Sequence, residues 1–289
     1  MTDLDVDVLR TAYDRQLRAR PPEPLPPGVT VERDGPLLRI HGLDRGGFLT
    51  YENLGGLTGA ALDELIARQR DFFAGRGQEV EWKLHGHDEP ADLADRLRAA
   101  GFVPEDRETV VIGPVAPLAA TLPVPPEGVR LREVTSRTDL DRIAELKSAV
   151  YGGDWTWLAD GLARELAAGA AQPREVPDSS PGVVDLDVAV SGPPLVVVVA
   201  EADGELVSAG WVRFVSGSGF ATLWGGATLP QWRGRGIYRS LVTYRARLAQ
   251  ERGRTLLQVD ASDASRPILL RLGFVAVTTT TPYVYTPNP

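Results

Sequence analysis

The stretch LWGGATLPQWRGRGIYRSL, residues 223–241, joins an apolar strand-like run to a helix through a proline and two closely spaced glycines. This order of strand, loop and helix directs backbone N–H groups and the helix dipole at one point, which favours an anion, most often a phosphate. Gly234 and Gly236 permit a close approach or a positive φ. Arginines supply cations around the helix start: Arg233, Arg235 and Arg239. A tight turn with solvated arginines is the alternative, since the pattern matches neither the dinucleotide fingerprint nor the P-loop.

The composition predicts a globular protein of two domains. The chain has 289 residues, of which 43% are hydrophobic and 24% are charged, within the ordinary range for folded domains. It has no cysteine, which excludes disulfides, thiolate metal sites and a cysteine nucleophile. A net charge of -8 argues against a nucleic-acid partner. No run approaches the length of a membrane helix and the N-terminus does not resemble a signal peptide, so we expect a cytoplasmic monomer or homodimer without membrane partners.

Two proline-rich segments divide the sequence. The first, residues 20–28, follows a short N-terminal helix, and the second, residues 113–128, is typical of an extended interdomain linker. The predicted division is therefore a first domain at 1–113, a linker at 114–127 and a second domain at 128–289.

Strands and helices alternate in both halves, after an antiparallel start. Apolar spacing predicts a helix at 58–75, another at 155–168 and a long one from Gly236 to Gly253, and Asp203-Gly204 predicts a hairpin turn. Each half also closes with a short helix, the letters GF and a strand. The fold class predicted is α/β (α+β), with a mixed β-sheet flanked by helices in two related domains.

The run TLPQWRGRGIYRSLV, followed some thirty residues later by LLRLGF, resembles the GNAT superfamily of acyl-CoA N-acyltransferases over the whole second domain. The family loop, Q/R-x-x-G-x-G/A, fits in two registers. One uses Gln231, Gly234 and Gly236. The other, which the spacing from the proline and the helix favours, uses Arg233 and Gly236 and places Tyr238 where the family has Gly or Ala.

This resemblance implies that the loop binds the pyrophosphate of acetyl-CoA or another acyl-CoA. It also implies that the preceding strand splays from its neighbour, bonds to the pantetheine arm and polarises the thioester. The implied cofactor-binding residues are Gly226, Ala227, Thr228, Arg233, Gly234, Arg235, Gly236, Ile237, Tyr238 and Arg239. No metal is implied, and the first domain, which lacks cations at its matching helix start, reads as a degenerate GNAT-like half.

The residues that usually perform acid–base chemistry in this family are absent. Thr222 stands where a glutamate base is common, and Leu269 and Ser262 stand at the positions of the usual tyrosine acid and its asparagine. Candidate catalytic substitutes are Tyr151, Asp154 and Asp260, each of which could instead be a hydrogen-bonded structural residue.

Three further features have both a functional and a structural interpretation. Tryptophans 155, 157, 211 and 224 could line an aromatic acceptor pocket or pack in the core. The HGHD stretch at 85–88 could bind a metal, but a solvated loop is favoured. The Pro/Ser/Gly-rich stretch at 170–194 predicts a lid or a surface loop.

The resemblance implies an N-acyltransferase that moves an acetyl or acyl group from acyl-CoA to a small-molecule amine. A non-catalytic CoA-binding or interaction module is the main rival, because the usual acid and base are missing. Another CoA-dependent reaction on the same scaffold is the third reading.

Overall fold

The computed structural model describes residues 5–21, 25–44, 46–171 and 192–287. Most of the stretch predicted as a lid or surface loop, residues 172–191, lies outside this range. The chain forms two compact units: unit 1 comprises Met1–Ile112 with Asp260–Pro289, and unit 2 comprises Gly113–Val259.

The helices and strands alternate as the sequence predicts. In chain order they are α1 (Val6–Leu17), β1 (Thr30–Asp34), β2 (Leu37–Leu43), β3 (Gly46–Thr50), α2 (Gly59–Ala74), β4 (Val80–His85), α3 (Leu93–Ala99), β5 (Val103–Pro104), β6 (Glu108–Pro114), α4 (Val115–Ala119), β7 (Val129–Val134), α5 (Arg137–Tyr151), α6 (Thr156–Ala171), β8 (Leu195–Ala202), β9 (Glu205–Phe214), β10 (Phe220–Thr228), α7 (Ile237–Glu251), β11 (Leu256–Ala261), α8 (Arg266–Arg271) and β12 (Val275–Tyr285). A 3₁₀ turn, Pro230–Trp232, connects β10 to the loop before α7.

The sheet of unit 1 has the order β1-β2-β3-β4-β12-β6, and β5 pairs with β12. All pairs are antiparallel except β3 with β4, which are parallel and are joined by α2. The core between this sheet and its helices is aliphatic and aromatic, with Phe73, Trp82 and Phe102 among its largest fully buried members.

Unit 2 repeats this plan. Strands β7, β8, β9 and β10 pair antiparallel in sequence order, and β10 then pairs in parallel with β11 after crossing through α7. Valines and leucines of β8 and β9 pack with the apolar faces of α5 and α6. The predicted mixed sheet flanked by helices is therefore confirmed, and the same strand–helix–strand step occurs in both halves.

The compact units differ from the predicted division at the C-terminal end. The cut near residue 113 coincides with a unit boundary, but the last residues, 260–289, group with the first unit. The reason is hydrogen bonding, since β12 pairs with β4 on one side and with β6 on the other.

The predicted linker also differs from an extended connection. Val115, Leu118 and Ala119 of α4 are buried, and the Ser240 hydroxyl on α7 donates a 2.8 Å hydrogen bond to the Val124 carbonyl. Apolar residues between the prolines anchor this segment on α7 within unit 2.

The prediction of a solvated loop at His85–Asp88 is wrong, because α1 covers it. The side chains of Arg18 and Asp88 form a buried ion pair of 2.7 Å, with 3% and 5% of each exposed. The Tyr13 hydroxyl lies 3.0 Å from His85 Nε2. Amphipathic helix α1 and its C-cap residue Arg18 therefore supply partners that the local pattern of the loop does not reveal.

Candidate functional site

A β-bulge interrupts β10 near its end. Trp224 pairs with Trp211 of β9 and Ala227 pairs with Ala209, so Gly225 and the residue after it oppose a single residue of β9. Bulges of this kind re-aim backbone groups and are frequent next to active sites. On the other side, β10 pairs with β11 only over Phe220–Thr222, so the bulged end of β10 is splayed from its parallel neighbour, as the resemblance implies.

Three glycines make room for the side chains that pack against the bulge. Gly225 has φ +72°, and a Cβ there would overlap the Trp211 ring. A Cβ on Gly226 would lie 2.9 Å from the Tyr238 ring, and one on Gly210 of β9 would lie 2.8 Å from the Arg245 guanidinium. Each glycine is therefore required by a close approach, and Gly225 is required by its positive φ as well.

Arg245 of α7 supports the bulge from beneath. The residue is 1% exposed, and its guanidinium donates to the carbonyls of Trp211 at 3.1 Å and Trp224 at 3.3 Å. Burial lowers its pKa to about 10. These bonds satisfy carbonyls on both strands at the point where the bulge disturbs the ladder.

The carbonyls beyond the bulge also have side-chain partners. The Tyr151 hydroxyl donates to the carbonyl of Gly226 at 2.9 Å. The Ser208 hydroxyl donates to that of Ala227 at 2.6 Å, and Arg233 Nε donates to that of Thr228 at 3.0 Å. The strand residues that the resemblance assigns to pantetheine are thus held by the protein's own donors.

The loop after β10 leads into an uncapped helix start, the kind of geometry that favours an anion. Gly236 is the N-cap of α7 with φ +85°, no side chain caps the first turn, and that turn holds no acidic residue. The first N–H groups of an α-helix, here including those of Ile237 and Arg239, have no acceptor within the helix. A Cβ on Gly234 or Gly236 would meet no atom within 4 Å, so the surface over these two glycines is open.

Three exposed arginines surround this helix start: Arg233, Arg235 and Arg239. Among the described residues none of them forms an ion pair with a carboxylate, and Arg235 lies over the Trp232 ring at 4.7 Å. Uncapped N–H groups, a helix dipole and arginines with no carboxylate partner among the described residues together favour an anion such as a pyrophosphate.

Tyr238 is a large residue at a position where the family pattern has a small one, and the neighbouring strand makes room for it. Its ring lies against Gly226, which has no side chain, so the bulk gained on the helix is matched by bulk lost on the strand. The register through Arg233 and Gly236 fits this geometry, because Gly236 is the residue at which the helix is capped.

The positions of the missing acid and base have structural roles. Thr222 is buried, and its hydroxyl accepts a 2.7 Å hydrogen bond from the Trp224 indole N–H. Leu269 of α8 is fully buried in unit 1. Neither side chain can exchange a proton in catalysis at neutral pH.

The three candidate catalytic residues have different surroundings. Tyr151 ends α5 in unit 2 and reaches the bulge through Gly226. Burial raises its pKa, and Arg233 acts in the opposite direction. Asp154 is exposed and accepts hydrogen bonds from the Thr156 backbone N–H and hydroxyl, which lower its pKa. Asp260 lies in unit 1, where it forms a 2.5 Å ion pair with Lys83.

A residue that the sequence reasoning missed, Lys147 of α5, lies beside Tyr151. It is 6% exposed, and its Nζ lies over the rings of Tyr151, Trp155 and Trp211 at 4.9, 5.3 and 5.6 Å. Burial lowers its pKa to about 8. Two of the four tryptophans considered for an acceptor pocket, Trp155 and Trp211, thus contact this amine. The Trp157 ring packs against Trp155, and Trp224 is 42% exposed.

The signal for Lys147 and Arg245 was present in the helical periodicity. Both cations occupy positions on the buried face of an amphipathic helix, Lys147 four residues after Ile143 and Arg245 four after Leu241. A charge on an apolar stripe is uncommon unless it has a specific partner, so these two positions are identifiable from the spacing alone.

Comparison with known proteins agrees with this geometry. Residues 163–274 match the family model described as Acetyltransferase (GNAT) family. This segment is therefore similar to the GNAT family. It includes β10, the loop, α7 and the LGF segment, and it continues past the boundary at Val259 into unit 1. A comparison with curated protein sequences found no match.

The whole chain is similar to solved GNAT structures. A GCN5-related N-acetyltransferase from Kribbella flavida is 18% identical with a TM-score of 0.65, over 100% of this chain and 98% of that one. A tandem GNAT protein from the clavulanic acid biosynthesis pathway is 16% identical with a TM-score of 0.62, over 98% and 94%. A conserved protein of unknown function from Staphylococcus epidermidis is 13% identical with a TM-score of 0.60, over 91% and 95%. At these identities the likeness shows the fold, which is that of a tandem GNAT chain.

Two structural features are absent from the described residues. No group of three or more His, Cys, Asp or Glu side chains within them is arranged to hold a metal ion. None of the described helices is both long enough and apolar enough to cross a membrane.

Proposed function

We propose that unit 2 binds acetyl-CoA, or a related acyl-CoA, and transfers the acyl group to a small-molecule amine. The observation that carries this proposal is the continuity of the glycine bulge in β10 with an uncapped, arginine-flanked helix start at Gly236. In acyl-CoA the thioester and the pyrophosphate belong to one molecule. The strand suits the thioester, and the loop at the helix start suits the pyrophosphate. The match of residues 163–274 to the GNAT family model supports the same reaction class.

The loop and strand residues have distinct roles in this proposal. The N–H groups at the start of α7, with the arginines, would bind the pyrophosphate. The backbone of Gly226, Ala227 and Thr228 would meet the pantetheine and thioester, and Arg245 would keep the bulge rigid. When bound, acyl-CoA supplies an activated carbonyl that an amine attacks, with CoA thiol as the leaving group.

Tyr151 is the candidate that suits proton donation to the departing thiolate. Its hydroxyl is already at the bulge, and burial raises its pKa, which keeps the phenol protonated at neutral pH. Asp154 and Asp260 remain weaker candidates, since the first serves as a cap for the Thr156 turn and the second neutralises Lys83.

The reaction is tested by mixing the protein with acetyl-CoA and a broad panel of primary amines while free thiol is measured. We expect thiol release that depends on one class of amine and saturates with acetyl-CoA. Mass spectrometry of the same mixtures identifies the acylated amine. Thiol release at the same rate without any amine would contradict acyl transfer to an amine.

The cofactor site is tested separately by calorimetry with a matched pair of variants. Gly236→Leu and Gly253→Leu place the same side chain at the two ends of α7, at φ values of +85° and +66°. A Cβ has open space at both positions, so the backbone strain is similar. Only Gly236→Leu is expected to weaken acetyl-CoA, by about tenfold or more, because only that side chain enters the anion site. Equal affinities would overturn the placement of the site.

A non-catalytic CoA-binding module is the second candidate. It is favoured by Thr222 and Leu269 at the usual acid–base positions and by the Tyr151 hydroxyl bonded to the strand carbonyl. Saturable binding of acetyl-CoA without turnover of any amine would support it. Turnover of a different acceptor, such as an alcohol or a thiol, would instead indicate another CoA-dependent reaction on the same scaffold.

A further inference from the structure

Lys147 is a buried amine on α5, and its described neighbours include three aromatic rings. Among the described residues no carboxylate lies within ion-pair distance of its Nζ, and the groups around it are the rings of Tyr151, Trp155 and Trp211. A lysine that is 6% exposed normally has a counter-ion. Burial removes water from the Lys147 amine without a described carboxylate to compensate. A titratable group in such surroundings is a candidate for a chemical role.

The sequence contains only one other lysine, Lys83 of unit 1. That residue is also largely buried, but it forms an ion pair with Asp260 and its pKa is raised: burial alone would lower it, and the Asp260 charge more than compensates. The two lysines can therefore be compared within one protein. Asp260 holds Lys83 as a cation, whereas three aromatic rings lie beside Lys147.

The rings around Lys147 also border the bulge of β10. Trp211 packs against Gly225, where no Cβ fits. Tyr151 donates its hydroxyl hydrogen bond to the carbonyl of Gly226. The amine is therefore separated from the two bulge glycines by single aromatic side chains, on the face of β10 that α5 covers.

We propose that Lys147 is the proton acceptor for the amine substrate at this bulge, an inference that rests on the proposed acyl transfer. Neutral Lys147 takes a proton from the substrate ammonium group and becomes an ammonium itself. The freed amine attacks the thioester carbon, a C–N bond forms, and the C–S bond breaks to release the thiolate, while the acylated nitrogen loses its extra proton to solvent and becomes the amide. The thiolate is protonated by Tyr151, which regains its proton from solvent, and Lys147 returns its proton to solvent.

The surroundings suit both states of the amine. Burial lowers the pKa of Lys147 to about 8, so a useful fraction is neutral near physiological pH. The ammonium formed after proton transfer faces three aromatic rings, which attract cations through their π-faces. Tyr151 is the titratable group among these rings, and the tryptophans from the α5–α6 connection and from β9 carry no titratable group.

The first test measures the protonation of Lys147 without relying on activity. Protein labelled with ¹³C at lysine Cε gives signals from two side chains, which Lys147→Met assigns. We expect the Lys147 signal to titrate with a midpoint near pH 8 and the Lys83 signal to stay in the charged form beyond pH 10. A Lys147 signal that remains charged beyond pH 10 would overturn the inference and leave the acyl-transfer proposal standing.

The second test uses the pH dependence of kcat/KM. Wild-type activity is expected to rise with pH and level off above about 8, since the base must be neutral. Lys147→Met should lose about 100-fold or more together with this inflection, while calorimetry shows unchanged acetyl-CoA binding.

Lys147→Arg separates proton transfer from a structural need for a cation. Arginine keeps the charge over the rings but cannot accept a proton at these pH values, so it should be as inactive as the methionine variant. Activity within about threefold of wild type in either variant would overturn the role of Lys147. No turnover of any amine by the wild-type protein would overturn the acyl-transfer proposal, and the inference with it.

Discussion

The hydroxyl of Tyr151 and the carbonyl of Gly226 form a 2.9 Å hydrogen bond at the centre of the candidate site. Tyr151 is 57% exposed and is followed by two glycines, Gly152 and Gly153, both with φ +74°. The side chain is therefore held by one hydrogen bond and by its contact with neighbouring rings rather than by the core. A ligand that bonds to the Gly226 carbonyl must replace this hydroxyl or share the carbonyl oxygen with it.

Tyr151→Phe is predicted to separate binding from chemistry. We expect kcat to fall about 10- to 100-fold, because the proton donor to the thiolate is lost. Acetyl-CoA affinity should stay equal or increase by a few fold, because the carbonyl of Gly226 is freed. Steady-state kinetics and calorimetry measure the two effects. Tyr244→Phe is the control, since its hydroxyl bonds to Glu133 in the same unit, and an unchanged kcat in Tyr151→Phe would contradict the role in proton donation.

Arg245→Met is predicted to destabilise unit 2 and loosen the bulge. The change leaves the carbonyls of Trp211 and Trp224 without their guanidinium donor. Buried polar groups without partners cost about 1–3 kcal/mol each, so we expect the free energy of unfolding to fall by about 2–4 kcal/mol in urea titrations. Arg247→Met, two residues along the same helix, should change it by less than about 1 kcal/mol. Equal stability of the two variants would show that the bulge does not need Arg245.

Lys147→Met is predicted to stabilise the folded protein at neutral pH. The pKa of Lys147 is about 8 when folded against an ordinary value of 10.5, so between these values the unfolded chain binds more protons and stability rises with pH. Below pH 8 the folded state carries the full cost, at most about 3 kcal/mol. The variant should gain up to that amount at pH 7 and nothing above pH 10.5. A gain that does not depend on pH would indicate an improvement in packing alone.

The sequence predicted the elements that depend on local patterns. The strand, loop and helix around Gly236 were predictable because glycine placement, a proline and helical spacing are all local signals. The fold class followed from the same alternation. Tyr238 was identified as a departure from the family pattern, but its fit against Gly226 depends on two residues that are close only after β10 and α7 pack.

Long-range partners were not predictable from local patterns. The burial of Asp88 needs Arg18, the C-cap residue of α1, which lies seventy residues earlier in the chain. Lys83 and Asp260 are 177 residues apart in the chain and form an ion pair. Asp260, a catalytic candidate because it stands at a strand end, is therefore a counter-ion in unit 1. Lys147 was overlooked because a single charge on a helix is commonly solvated, although its place on the apolar stripe was visible.

Asp88→Asn is predicted to destabilise unit 1 strongly. The carboxylate accepts from Arg18 at 2.7 Å, from the Tyr51 hydroxyl at 2.6 Å and from the His85 backbone at 2.7 Å. Removing one partner of a buried ion pair costs about 3–5 kcal/mol, measured by denaturant unfolding. Asp95→Asn breaks the exposed pair with Arg98 and should cost less than about 1 kcal/mol. Similar losses in both variants would contradict a special role for the buried pair.

The pH dependence of this pair follows from the pKa of Asp88. Burial by itself would raise that pKa, but the His85 contact and the Arg18 charge hold it well below its ordinary value of 3.8. The stabilisation is therefore complete above pH 3.8 and is lost as the pH falls toward the lower folded-state value. Asp88→Asn should remove this part of the acid dependence.

Glu108→Gln is predicted to stabilise unit 1 at pH 8 and to have little effect at pH 4.5. Burial, and then the negative charge of Asp260, raise the pKa of Glu108 to about 7. Between 4.5 and 7 the folded state binds more protons than the unfolded chain, so stability falls as the pH rises through this range. Glutamine mimics the protonated acid, and its gain at pH 8 is at most about 3 kcal/mol.

Unfolding curves at the two pH values, with the exposed Glu105→Gln as control, separate this effect from a general change in surface charge. The control should show a small and similar change at both pH values, because its carboxylate is solvated. Equal gains at pH 4.5 and pH 8 in Glu108→Gln would mean that packing, and not the charge on Glu108, limits stability. A gain confined to pH 8 would establish that unit 1 keeps an energetically unfavourable carboxylate beside the Lys83–Asp260 pair.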